Sequence, residues 1–245
     1  MAPPALVLVH GGGHAADYWE LTVDEIHRQA PELTVVAVDL PGRRGKPGDL
    51  RTLTIADFVD SVVGDIEDAG LGEIVLVGHS MAGLTVPGVV TKLGSSRVRE
   101  LILATAFVPP EGKALADTLT GLFRSIGRHP AKTNVPEATR AVMARFGFFN
   151  GMSRAQRRFM TGKLYPESTN ILTENVSRSG MPDDVPRTWI LTLRDHALAV
   201  KSQRRSIAAI GGVQTVIPID TCHTLMVSEP RRLAEILVKR CRLYA

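Results

Sequence analysis

Apolar residues along the chain follow two rhythms. Short uninterrupted runs rich in Val, Ile and Leu occupy residues 5–10, 33–40, 74–79, 101–106, 188–193 and 215–219. Runs of this length and β-branched content predict strands covered on both faces. Longer stretches, at 18–29, 55–68, 82–93, 197–210 and 229–242, repeat their apolar positions every three or four residues. That spacing predicts helices with one apolar face. Thr54, just before the second of them, is placed to cap it. The alternation predicts a mainly parallel sheet of about six strands with helices on both faces. In such sheets the ligand meets the carboxyl ends of the strands.

The rhythm breaks at residues 111–187. Helix-like pieces at 137–146 and 153–163 follow one another there, with no clear strand between them. The expected organisation is a core in two parts, 1–110 and 188–245, with 111–187 inserted as a helical cap over the carboxyl edge. The insertion also concentrates charge, with twelve Lys and Arg against seven Asp and Glu, whereas the rest of the chain is nearly balanced. A basic surface can draw anionic ligands. However, Arg154, Arg157 and Arg158 share one helical face, the pattern of a solvated surface. Phe146, Phe148, Phe149, Phe159 and Met160 supply apolar surface close by. The balance favours an apolar pocket and an uncharged substrate.

Composition narrows the field without naming a chemistry. A chain of 245 residues that is 44% hydrophobic and 22% charged can bury a full core. Its net charge of +4 comes without aromatic interleaving or a nucleic-acid motif, so no nucleic-acid partner is expected. Two cysteines, Cys222 and Cys241, make no disulfide framework and suit a reducing compartment. The N-terminal MAPPALVLVHGGG has no basic leader and too short an apolar run for a signal peptide. The longest nearly uncharged stretch, 74–91, contains His79, Ser80 and Pro87 and does not read as a membrane span. A cytoplasmic protein is expected, with a small-molecule substrate and at most a second copy of itself as partner.

The candidate chemistry sits where the strands end. In LVGHSMAG, Ser80 follows a strand and precedes a helix. A turn that tight needs small neighbours, which Gly78, Ala82 and Gly83 supply. The nucleophile pattern G-x-S-x-G is met except at its fifth position, Ala82. Read blandly, the stretch is a glycine-rich turn with an incidental serine, or a weak phosphate loop. The first strand runs into His10-Gly11-Gly12-Gly13-His14, which lacks the spacing of a dinucleotide loop. Its backbone N–H groups, with that of Met81, can instead face a developing oxyanion. His10 and His14 read as loop partners rather than bases. A serine needs a base, and the base an orienting acid. The later strands end in TLRDHAL and DTCHTLMVSEP, which offer Asp195 and then His223. Asp220 is the rival acid, but it stands too close to His223 along the chain to approach its imidazole easily. His79 and His196 read as packing or surface residues, and Cys222 as pocket lining.

These segments resemble an α/β-hydrolase of the branch that holds plant methyl esterases, hydroxynitrile lyases and bacterial esterase-like members. The resemblance rests on LVHGGGHAADYW, DLPGRRG, GHSMAG, LILATAFVPPEG, TLRD and CHTLMVSEP, with weaker support from FGFFNGM and KLYPES. It implies Ser80, Asp195 and His223 as a triad, with the N–H groups of Gly12 and Met81 as oxyanion donors. Gly11, Gly13, His14 and Thr224 are then expected to line the substrate. It implies no cofactor and no metal. The lyases of this branch carry a threonine after the first loop histidine and a lysine after the catalytic histidine. Here those places hold Gly11 and Thr224. Both departures favour cleavage of a carboxylic ester, lactone or thioester through an acyl-enzyme. A lyase and a non-catalytic receptor on the same fold are the alternatives.

Overall fold

The computed structural model describes residues 3–43, 45–119 and 146–245. Six parallel strands form one sheet in the order β2-β1-β3-β4-β5-β6. They are β1 (Ala5–Val9), β2 (Val35–Val38), β3 (Ile74–His79), β4 (Val98–Ala104), β5 (Arg187–Thr192) and β6 (Thr215–Ile219). The helices that matter for packing are α1 (Glu20–Gln29), α2 (Ile55–Asp68) and α3 (Val86–Leu93). After the short α4 (Leu115–Thr118), α5 (Arg154–Phe159) and α6 (Asn170–Thr173) come α7 (Val200–Ala209), α8 (Leu225–Ser228) and α9 (Pro230–Cys241). No described helix is long and apolar enough to cross a membrane.

The uninterrupted apolar runs follow from burial on both faces. Leu6, Leu8, Val75 and Val77 point to one core with Ile26 of α1 and Leu233 and Leu237 of α9. Their neighbours Val7, Val9, Ile74 and Leu76 point to the other, with Phe58 and Val62 of α2 and Val86 and Val90 of α3. Apolar residues line both faces of β1 and most of β3, so period-two alternation is invisible there. Thr54 caps α2 in a reciprocal box with Asp57.

The topology also makes the crevice. From β1 the chain moves outward to β2, then returns to the opposite side of β1 as β3. At such a reversal the connections leave in opposite directions and a gap opens beyond the carboxyl ends. The loop after β1 and the turn after β3 flank that gap.

Several expected elements have different bounds. The expected helix 82–93 starts as a 3-10 turn, Ser80–Leu84, before α3 takes over. The expected strand 101–106 begins at Val98 and stops at Ala104, because Thr105 turns to φ 40. In the inserted segment, Ser153 and Gln156 cap α5, which is shorter than the expected 153–163. The expected 137–146 piece lies, apart from Phe146, outside the described residues.

The Ser80 turn is held by close backbone contacts. A Cβ on Gly83 would lie 2.4 Å from the Phe107 carbonyl oxygen, and one on Gly78 2.7 Å from a Val86 methyl. Ala82, at the pattern's fifth position, has room for its methyl and is buried. The close approach has moved one residue on. Gly83→Ala is therefore expected to cost ~1–3 kcal/mol of stability, as overpacking against a fixed backbone does. A urea titration that placed its midpoint at the wild-type value would contradict this.

Candidate active site

Ser80 sits in the left-handed region at φ 54, where a side chain is strained. Two contacts hold it there: Phe107 N–H donates to the Ser80 carbonyl at 2.9 Å, and Gly11 leaves room for the serine. A Cβ on Gly11 would lie 2.7 Å from Ser80 Cβ. The turn aims Ser80 Oγ at His223 Nε2, 2.8 Å away. His223 Nδ1 donates to Asp195 Oδ2 at 2.7 Å, which leaves Nε2 as an acceptor for the serine proton. All three residues are buried and follow the carboxyl ends of β3, β5 and β6. Asp220 instead forms an exposed ion pair with Arg194.

Asp195 is unusually well satisfied. Its Oδ2 also accepts from the hydroxyls of Thr105 at 2.6 Å and Thr192 at 2.9 Å. Its Oδ1 accepts the N–H groups of Ala197 and Leu198 at 2.8 and 2.7 Å. Burial pushes its carboxyl up, but His223 and these donors outweigh burial and hold it below the usual carboxylate range. Thr105 reaches the carboxylate by way of its own left-handed backbone.

The loop after β1 is fixed on every side. His10 Nδ1 donates to the Gly11 carbonyl at 2.8 Å while its Nε2 accepts from Leu40 N–H. Because the peptide is planar and trans, this bond also orients the Gly12 N–H. Gly11 N–H donates to Tyr18 Oη at 2.9 Å, and Tyr18 donates to His79 Nδ1 at 2.5 Å. His79 Nε2 donates to the His223 carbonyl at 3.0 Å. The chain of bonds assigns the His79 tautomer, and it ties the loop to the backbone of His223. Gly12 packs on Met81: a Cβ there would lie 2.1 Å from the Met81 sulfur. Met81 N–H falls in the first turn after Ser80, where backbone donors lack intrahelical acceptors.

Several expected substrate contacts have other partners. Gly11 N–H belongs to Tyr18, and Gly13 N–H donates to Glu167 Oε2 at 2.9 Å. The Thr224 hydroxyl donates to the Phe148 carbonyl at 3.2 Å. His14 stacks on Tyr18 at 4.7 Å and donates from Nδ1 to the Gly12 carbonyl, while its buried Nε2 has no partner among the described residues. Cys222 is buried in the core on the α1 side, and burial pushes its thiol up. Exposed His196 bonds only the Phe146 carbonyl among the described residues.

The sequence reading missed Thr105, Thr192, Tyr18 and the pair Arg43 and Glu167. No local pattern marks a threonine that will serve a carboxylate ninety positions away. Phe107 and Phe148, with ring centres 6.0 and 5.2 Å from His223, form apolar walls beside its imidazole. Met81 and Phe107 join Leu84, Leu115 and Val176 in an apolar cluster next to the serine.

Residues 6–236 match the alpha/beta hydrolase family model, and the chain belongs to that family. A carbendazim hydrolyzing esterase of Nocardioides sp. (strain SG-4G) is 30% identical over 110 residues, which cover 44% of this chain and 44% of that protein. That match spans less than half the relative's length. Methylesterase 18 of Arabidopsis thaliana is 21% identical across 98% of this chain and 97% of its own length. Among solved structures, an extracellular alpha/beta-hydrolase from a Paenibacillus species superposes with a TM-score of 0.82 at 23% identity. The superposition covers 97% of this chain and 98% of that one.

Burial lowers the pKa of His10, His14 and His79, that of His14 from 6.5 to about 4. A histidine kept neutral by folding contributes stability that is complete above its unfolded value and is lost as the pH falls through the folded one. The urea midpoint is expected to fall between pH 6.5 and about 4, with His14 titrating across that window. A midpoint flat over that range would contradict it. Asp195 adds a second loss at lower pH, since its folded value lies below the ordinary one. Thr105→Val removes one donor to the charged carboxylate. It should lower kcat/KM by roughly 10- to 10²-fold and move the carboxylate's acid loss upward in pH. Unchanged kinetics in this variant would remove Thr105 from the site.

Proposed function

We propose that the protein is a serine hydrolase acting on the ester-like bond of a small, mostly apolar molecule. The observation that carries this reading is the bonded series Ser80, His223 and Asp195, at 2.8 and 2.7 Å. His223 takes the Ser80 proton as Oγ attacks the carbonyl carbon. Asp195 keeps the imidazole in the tautomer that can accept that proton and stabilises the imidazolium. The carbonyl oxygen gains its charge against the N–H groups of Gly12 and Met81. His223 then protonates the leaving alkoxide. Water attacks the acyl-enzyme by the same route reversed, releasing the acid and restoring Ser80. The esterase names of the relatives support this reading.

The surroundings favour an uncharged substrate. The walls beside His223 are Phe107 and Phe148, and an apolar cluster adjoins Ser80. Several basic residues of the inserted segment are exposed or already paired. Arg154 and Arg158 are exposed, Lys163 pairs with Asp17 and Glu20, and Arg178 pairs with Glu111. In this reading 111–187 is the cap that shapes the pocket. Thr224 stands where the lyases place a lysine, and its hydroxyl is engaged with Phe148. This disfavours cyanohydrin cleavage.

A fluorophosphonate probe is expected to label the wild type and not Ser80→Ala. Asp195→Asn should reduce kcat by a factor of up to about 10⁴, and Asp220→Asn should have a much smaller effect. The reverse ranking would reassign the acid. A substrate panel of ester, thioester, lactone and cyanohydrin should give Ser80-dependent turnover in the first three classes at most. A kcat/KM highest for a carboxylate-bearing ester and falling steeply with salt would place the basic residues in the pocket instead.

A further inference from the structure

Gly13 is gripped by the inserted segment through both of its backbone groups. Its N–H donates to Glu167 Oε2 at 2.9 Å, and its carbonyl accepts from Tyr165 N–H at 2.8 Å. The same Oε2 accepts from Arg43 Nη2 at 2.5 Å. Arg43 in turn donates from Nε to the His14 carbonyl at 2.6 Å. The Arg43 side chain is fully buried and that of Glu167 is 17% exposed. A buried guanidinium needs a counter-charge, and a fork of fixed donors needs a fixed acceptor. Glu167 supplies both, at a distance of 124 positions from Arg43 in the chain.

The geometry matters because of what lies next to it. Gly13 N–H shares a planar peptide with the Gly12 carbonyl, so fixing one fixes the other. Gly13 adopts φ 68, a conformation that lets the loop reverse directly after Gly12. His10 sets the peptide before Gly12, and Glu167 sets the peptide after it. Gly12 is therefore held between two peptide planes, one oriented by the core and one by the inserted segment together with His14, whose Nδ1 donates to the Gly12 carbonyl.

We propose that Glu167 is a positioning residue for the oxyanion donor, clamping the Gly12–Gly13 peptide together with Arg43. This rests on the reading of Gly12 N–H as an oxyanion donor. The inserted segment then does more than wall the pocket: its seating on Gly13 sets the geometry of the reacting centre. Glu167 does not touch substrate, and its charge is matched by Arg43. A purely electrostatic role makes the opposite forecast. Neutralising Glu167 would leave Arg43 unopposed near the oxyanion and would speed the reaction.

The test compares Glu167→Gln with Glu167→Leu on a neutral p-nitrophenyl ester. Rates are normalised to active sites titrated with a fluorophosphonate, so that loss of folded enzyme does not enter. Glu167→Gln keeps an oxygen acceptor for Gly13 N–H and should stay within a few-fold of wild type. Glu167→Leu loses the acceptor, and kcat should fall by roughly 10- to 10²-fold with little change in KM. The inhibition constant of an alkyl boronic acid, whose adduct on Ser80 places an oxygen in the oxyanion position, should rise in parallel. If Glu167→Leu does not fold, Glu167→Asp, which keeps the charge and shortens the reach, should show the same loss. Normalised kcat equal to wild type in Glu167→Leu or Glu167→Asp, a rise in KM alone in them, or faster turnover in Glu167→Gln would overturn the proposal. Absence of Ser80-dependent turnover in the wild type would instead overturn the hydrolase reading, and this inference with it.

Discussion

The strained turn at Ser80 is the constraint on which the other features of the site depend. A non-glycine residue at φ 54 persists only where its surroundings over-determine it. Here Gly11 makes room on one side, Phe107 N–H holds the carbonyl on another, and Gly83 lets the turn close against the Phe107 backbone. Strain of this kind costs about 1–3 kcal/mol and needs a rigid frame around it. The frame is the central strands β1, β3 and β4, buried on both faces. The departure at Ala82 from the usual glycine is understandable in these terms, because the contact that excludes a side chain has passed to Gly83.

Around that turn, burial is used to keep histidines neutral and single-tasked. His10, His14 and His79 are deeply buried, and desolvation lowers the proton affinity of each. His10 and His79 use both ring nitrogens in hydrogen bonds to the loops at the strand ends. His223 differs in having a carboxylate on one nitrogen and a hydroxyl on the other. The same side chain thus serves as brace or as base according to its partners, and only the spatial partners distinguish the roles.

The site also draws its parts from distant stretches of chain. Thr105 follows β4, Thr192 ends β5, and both reach Asp195. Glu167 comes from the inserted segment and meets Arg43 from the loop after β2. The parallel topology puts every strand's carboxyl end at one edge, so residues far apart in sequence become neighbours without any local signal.

Much of the fold was legible along the chain. The strands and helices could be read because burial on both sheet faces leaves unbroken apolar runs, and helices keep their three-to-four spacing. Ser80, Asp195 and His223 could be named because each follows a strand, and the sheet gathers strand ends. Length of separation hid the rest. Neither Thr105, ninety positions from Asp195, nor the Tyr18–His79 link has a spacing rule, since these contacts join distant stretches of chain. The hydrogen-bond partners of Gly11, Gly13 and Thr224 were hidden for the same reason. Their polar groups look free in sequence, and only packing shows which are already taken. By itself the sequence determined the architecture and the candidate residues at the strand ends, through hydrophobic periodicity and position. Tertiary structure decided which hydrogen bonds those groups make, because a buried donor or acceptor must find a partner in space, wherever the chain supplies it.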